Sequence, residues 1–235
     1  FDSLLTFTTH SKPKIRKAAQ HAIVAVLKGS SFMIAQDEDE TMAVEVPSSH
    51  PASNNAAKYC AAQLEEAGGV GNTSLYVLAL LKEILSTFPK NQLKLLCEKI
   101  LGVMISKNAI LVSCCMQALY GLFNNRPSEV VLPADLNAQI IASLYDYQPS
   151  INDTQPIIAW LTVQQEAHIN LSLQDKKLCF ESLKRFFKVA THCWVSDRAE
   201  VVKSATVAMK SVVGECVRPV VDDVQPGSVR ELFAL

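Results

Sequence analysis

Three stretches of this chain share one spacing, and that spacing favours packed helices over any other structure. The first is Ser11-Lys-Pro-Lys-Ile15-Arg16-Lys-Ala18-Ala19, continuing to Ala22-Ile23. The second is Ser106-Lys-Asn, then Val112, Cys115, Met116 and Leu119. The third is Ser196-Asp197-Arg-Ala-Glu200, then Val202, Ala205 and Met209. Each begins with a polar turn. A β-branched residue follows, then a small or slender residue three positions on and apolar residues at seven and eleven. On an α-helix these positions share one face, and the slender residue near its start lets a second helix come close.

The intervals between these segments set the repeat. From Ile15 to Val112 is 97 residues and from Val112 to Val202 is 90. Each interval therefore holds about two units of the length usual for HEAT repeats. With 49% hydrophobic residues, 7% aromatics and only eight glycines, the chain is too poor in turn residues for a many-stranded sandwich. The expected class is all-α: a HEAT-like α-solenoid of about five antiparallel helix pairs, 1–235 forming one segment. Stacked at the usual interhelical spacing, the pairs would make a rod on the order of 40–50 Å long. Expected helices, after a short one ending near Thr9, are 13–28, 52–66, 73–88, 90–105, 108–124, 133–147, 153–168, 174–192 and 197–216. Pro13 and Pro156 fall where a first turn tolerates proline, and Asp197 with Glu200 has capping-box spacing. Residues 31–51, with the acidic run Asp37-Glu-Asp-Glu40 and two prolines, are expected to be a loop insertion. The chain opens and closes within apolar, helix-like sequence, as a piece of a longer protein would.

Several kinds of chemistry find no support. The strongest apolar run, Leu75–Leu81, is far shorter than the roughly 20 residues a bilayer demands. Seven cysteines, an odd number with no Cys-x-x-Cys, fit buried small hydrophobes better than a disulfide framework or a zinc site. His10, His21, His50, His168 and His192 are scattered, so no metal is expected. Gly68-Gly69-Val70-Gly71 lacks the lysine and serine of a phosphate loop and suits a helix-breaking link. No nucleophile motif is present, and neither a cofactor nor a small-molecule substrate is implied. An enzyme would need a convergent polar cluster that neither motif nor spacing supplies.

Basic residues are the best candidates for contact with a partner. The net charge is −1, so any anion-binding surface must be local. On the helix from Lys14 to Lys28, the apolar stripe expected is Ile15, Ala18, Ala19, Ala22, Ile23 and Val26. Lys14, Lys17, His21 and Lys28 then share about 60° of arc on the other side. Arg16 lies beside the apolar stripe, where a structural bond within or between repeats is expected. On the helix opening near Gln174, Lys177, Lys184 and Lys188 share the outer face with Glu181. Both stripes are candidates for RNA or protein contact, set against the plainer reading of a solvated helix face.

Two longer stretches carry a family resemblance. Phe1-Asp-Ser-Leu-Leu-Thr-Phe-Thr-Thr-His-Ser-Lys-Pro-Lys-Ile-Arg-Lys-Ala-Ala-Gln-His21 resembles the opening HEAT-like unit of the eukaryotic ribosomal RNA processing protein 12 family. Leu136-Asn-Ala-Gln-Ile-Ile-Ala-Ser-Leu-Tyr-Asp-Tyr147, with Asn152-Asp153, Ala159-Trp160-Leu161 and Ala167-His-Ile-Asn-Leu171, is similar too. The likeness covers 1–28 and 134–171 and fails across 36–51. It implies a nuclear and nucleolar scaffold, shuttling to the cytoplasm, that associates with pre-ribosomal particles. It implies support of pre-rRNA processing, small-subunit maturation and subunit export, with rRNA, assembly proteins and nuclear transport factors as partners. It implies no catalytic residue. The alternative is a karyopherin-like nuclear transport receptor, built from the same helix stacking, or another HEAT-repeat protein-interaction scaffold.

Overall fold

Proline and aspartate punctuate the chain at the helix starts. The computed structural model describes residues 1–34, 50–66, 72–105, 108–125, 132–221 and 226–233. These form eleven α-helices and, among the described residues, no strand. They are α1 (Asp2–Phe7), α2 (Pro13–Ile34), α3 (Ser53–Glu66), α4 (Asn72–Ile84), α5 (Lys90–Met104) and α6 (Ala109–Asn125). After them come α7 (Ala134–Asp146), α8 (Thr154–Ser172), α9 (Lys176–His192), α10 (Ala199–Val212) and α11 (Pro226–Phe233). Pro13 occupies the first turn of α2, and Pro89 and Pro133 immediately precede α5 and α7, where a missing N–H costs nothing. Asp175 caps α9 by accepting from the Leu178 amide at 2.9 Å.

Consecutive helices pack in pairs: α1 with α2, α3 with α4, α5 with α6, α7 with α8, α9 with α10. Five pairs of the expected all-α, HEAT-like class are present. The three echoing segments open α2, α6 and α10, the second helices of the first, third and fifth pairs, which is why two repeats separate them. Residues Phe1–Asn125 and Arg126–Leu235 form two compact units.

In the first unit α3 packs along α5, and α4 along α6. Helices α4 and α6 come close at Gly121, where an added Cβ would run into the backbone carbonyl oxygen of Lys82. Leu78, Leu81, Ile84 and Phe88 are fully buried with Leu93, Leu96, Leu119 and Leu122. Each contributes about 1.5–3 kcal/mol by leaving water. Polar side chains tie α2 to its neighbours. Arg16 donates to the His10 carbonyl at 2.8 Å and stands 3.7 Å from the Tyr76 ring centroid. Gln20 donates to the carbonyls of Thr8 and Tyr76, both at 3.1 Å. The structural role expected for Arg16 is the one it has.

In the second unit α8 is sheathed by α7, α9 and α10. Trp160 on α8 is fully buried, and its indole N–H donates to the Leu144 carbonyl at 2.8 Å. Asn137 donates to the Leu132 carbonyl (3.0 Å) and to Asn170 Oδ1 (2.9 Å), which fixes the start of α7 against α8.

Three details differ from expectation. Helix α2 does not stop at Lys28 but continues through Gly29 to Ile34, so the insertion cannot begin at residue 31. One glycine costs a helix only about 1 kcal/mol relative to alanine and does not by itself end it. The buried stripe of α2 is Ala19, Ile23 and Leu27, while Ile15 and Ala18 are exposed. That is a rotation of about 70° from the expected face. Lastly, α10 starts at Ala199 after Arg198, and no Asp197–Glu200 capping box forms. Ser196 Oγ takes the turn instead, accepting from the Arg198 amide at 3.2 Å. The acidic run 37–40, most of the expected insertion (35–49) and the glycine cluster at 68–71 lie outside the described residues.

Candidate partner-binding surfaces

The basic stripe of α2 faces solvent because its buried edge, Ala19-Ile23-Leu27, lies across the helix. Lys14, Lys17 and His21 are exposed, and no carboxylate among the described residues pairs with Lys14 or Lys17. Lys28, the fourth member, reaches Glu83 on α4 at 3.5 Å. That exposed pair is worth at most about 1 kcal/mol, but it occupies the lysine's charge. The stripe therefore presents three side chains free to meet an anion, with Ile15 and Ala18 beside them.

The stripe of α9 is divided differently. In the first unit the alternate helices α3 and α5 lie along each other, whereas α9 packs mainly on α8, α10 and α11 and less closely on α7. The space left between α7 and α9 is a groove of about 600 Å³. Ala138, Ile141, Ala142 and Tyr145 form its α7 wall, and Leu171 of α8 lies at its base. Leu178, Glu181, Ser182, Lys184, Arg185 and Lys188 form the α9 wall. Lys184 and Lys188 are thus brought together at one site, while Lys177 is exposed on the same helix but outside the groove.

Sequence reading passed over Arg185. It bridges the groove, donating to the Tyr145 carbonyl at 3.1 Å with its guanidinium 4.4 Å from the Tyr145 ring centroid. Its signal in the sequence was weak: it follows Lys184 directly and lies one turn beyond Glu181, between the two lysines. Three cationic groups, the Glu181 carboxylate and the Ser182 hydroxyl border a cleft whose remaining lining is largely apolar.

Burial drives the perturbed ionisable groups towards their neutral forms. It pushes the thiols of Cys60 and Cys97 up to about 12 and that of Cys193 to about 11. The Tyr145 hydroxyl is likewise raised, by burial. Six of the seven cysteines are buried, as their apolar surroundings implied, and such thiols are poor nucleophiles. Burial also lowers the His168 imidazole to about 4, opposed by its bond to the Gln164 carbonyl at 2.6 Å. Among the described residues no three His, Cys, Asp or Glu side chains converge as metal ligands, and no helix is long and apolar enough to cross a membrane. What the surfaces offer is charge and apolar area for association.

Residues 1–130 match the family described as RRP12-like, N-terminal HEAT repeats. The RRP12-like protein of Homo sapiens is 44% identical over 231 residues, covering 97% of this chain and 17% of that protein. The RRP12-like protein of Gallus gallus is 43% identical over 225 residues, covering 95% of the chain and again 17% of the relative. Ribosomal RNA-processing protein 12 of Saccharomyces cerevisiae is 22% identical over 234 residues, 92% of the chain and 18% of the relative. The chain spans only about a sixth of the length of these relatives. On the match across its first 130 residues, and with paired HEAT-like helices throughout its described parts, the chain belongs to the RRP12-like family.

Proposed function

We propose that this chain is a non-enzymatic binding segment of a ribosome-assembly factor. It acts in pre-rRNA processing, small-subunit maturation and export of pre-ribosomal subunits. Its setting is the nucleus and nucleolus, with shuttling to the cytoplasm, and its partners are the pre-ribosomal particle and nuclear transport factors. The family supports the setting, and the name of the yeast relative supports the link to ribosomal RNA.

The observation that carries the mode of action is the α2 stripe. Lys14, Lys17 and His21 are exposed on one arc, and neither lysine is spent on a carboxylate among the described residues. Such a row suits the phosphates of rRNA, giving affinity and placement without choice of base. Lys28 contributes less, because Glu83 competes for it.

The test is co-sedimentation of the full-length protein with purified precursor particles at low and physiological salt. Lys14→Glu with Lys17→Glu should weaken association and flatten its salt dependence, by about 0.7–0.9 in log–log slope for each phosphate no longer neutralised. The melting curve should not move, since both side chains point away from the buried edge of α2. Association and salt slope equal to those of the unaltered protein would leave the stripe a solvated face.

A further inference from the structure

We infer that the groove between α7 and α9 is the docking site for a short acidic peptide of a partner protein, which seats apolar side chains between the helices and sets carboxylates against the rim. This site is separate from the α2 stripe and does not depend on phosphate contact there.

Two features of the groove select that occupant. Its interior is apolar: Ile141, Leu171 and the half-exposed Leu178 face it, and Ala138 and Ala142, one turn apart on α7, keep one wall low. At about 600 Å³ it falls in the range of clefts that enclose a compact ligand or a few peptide side chains. Its rim is cationic: among the described lining residues Lys184, Arg185 and Lys188 face one carboxylate, Glu181. Arg185 is already held by the Tyr145 carbonyl and ring, so little freedom remains to be lost when its other N–H groups meet a carboxylate. An amphipathic segment with apolar anchors and acidic flanks matches both features, in the manner of a helix laid in a groove.

Other occupants fit less well. A nucleobase would look for an open aromatic face, and the Tyr145 ring is covered by Arg185. A second copy of the chain joined groove to groove would bring two cationic rims together, which like-charge repulsion disfavours.

Fluorescence anisotropy with the intact chain tests the assignment. The probe is a fluorescein-labelled peptide carrying two leucines one helical turn apart among glutamates. Saturable binding in the micromolar range is expected. Lys184→Glu with Lys188→Glu should weaken it about tenfold or more. Ala142→Trp, which adds bulk at an exposed position on the α7 wall, should abolish it, with the melting curve of each variant checked against the parent. Lys14→Glu with Lys17→Glu should leave it unchanged, so failure here and failure of the phosphate reading at α2 can be told apart. No saturation at millimolar protein would overturn the proposal. Equal affinity for a peptide with alanine in place of both leucines, or no effect of Ala142→Trp, would do the same. Displacement of the probe by oligouridine, abolished in the Lys184/Lys188 variant, would assign the rim to RNA instead. Dimerisation of the chain that Ala142→Trp disrupts would assign the groove to a second copy.

Discussion

Replacing Gly121 with alanine should destabilise the first unit, although alanine is the better helix former. The new Cβ would press into the carbonyl oxygen of Lys82, which is backbone and cannot swing aside. To recover van der Waals distance, α4 and α6 must part by about 1 Å. A gap of that size forfeits a quarter to a half of the dispersion energy at each atom pair along the seam. Both helices are rich in buried residues, among them Val77, Leu78 and Leu81 on α4 and Ala118 and Leu122 on α6, and the two pack together. Overpacking usually costs about 1–3 kcal/mol and more where backbone must move, so about 2–4 is expected here, and the gain in helix propensity returns about 1. A net loss of about 1–3 kcal/mol should lower the urea midpoint by about 1 M, at slopes usual for small domains. Gly102 on α5 provides the comparison, because it is exposed and a Cβ there meets nothing within 4 Å. Gly102→Ala should raise stability by the propensity term alone, about 1 kcal/mol, and the midpoint should rise with it. If both alanines stabilise, α4 and α6 do not make the approach described, and the packing of the first unit is wrong.

Ala205, fully buried on α10, should not accept a larger side chain: Ala205→Leu should cost about 1–3 kcal/mol, whereas Ala18→Leu on the exposed face of α2 should stay within about 0.5, both read from urea midpoints. The buried His168 should make the second unit acid-sensitive. Its imidazole titrates near 4 when folded and near 6.5 when unfolded. The unfolded chain therefore binds the proton first as pH falls. Stability should be full above about 6.5, decline between 6.5 and 4 by up to roughly 3 kcal/mol, and level off below. His168→Gln should remove that slope from a series of denaturation midpoints, and a slope shared by both proteins would exonerate the histidine.

Most of the fold was legible because the relevant signals are local. Period and proline placed nearly every helix to within a few residues. The slender residues of the second and third echoing segments, Cys115 and Ala205, are buried as a close neighbour requires, whereas Ala18 of the first is exposed. The stripe of α2 was misjudged where that logic assigns inward positions by hydrophobicity alone. Ile15 and Ala18 look like core and Gln20 looks like surface; only Arg16, beside the stripe, is expected to make a structural bond. In the folded unit Arg16 and Gln20 make the contacts with Tyr76 and the Thr8 carbonyl. They lie on the flank of Ala19, Ile23 and Leu27, so the helix turns that side inward and leaves Ile15 outside. A polar side chain that spans two helices carries no mark in a hydrophobic pattern.

The α9 surface was half legible for a related reason. Exposure of Lys177, Lys184 and Lys188 follows from one helix and its period, and all three are exposed. A groove needs two helices and the distance between them, and the interaction that defines its rim joins residues 40 apart in sequence, Arg185 and Tyr145. Periodicity treats the three lysines as equivalent, whereas the groove takes in only two of them. That difference separates a general charge effect from a seated ligand. If the acidic peptide is merely attracted to a basic helix, Lys177→Glu should weaken it as much as Lys184→Glu does. If carboxylates sit against the rim, reversal at Lys184 should dominate, and reversal at Lys177 should show only the small, salt-screened effect of a more distant charge. Equal weakening at the two positions, fading together as salt is raised, would reduce the groove to a bystander of the α9 stripe.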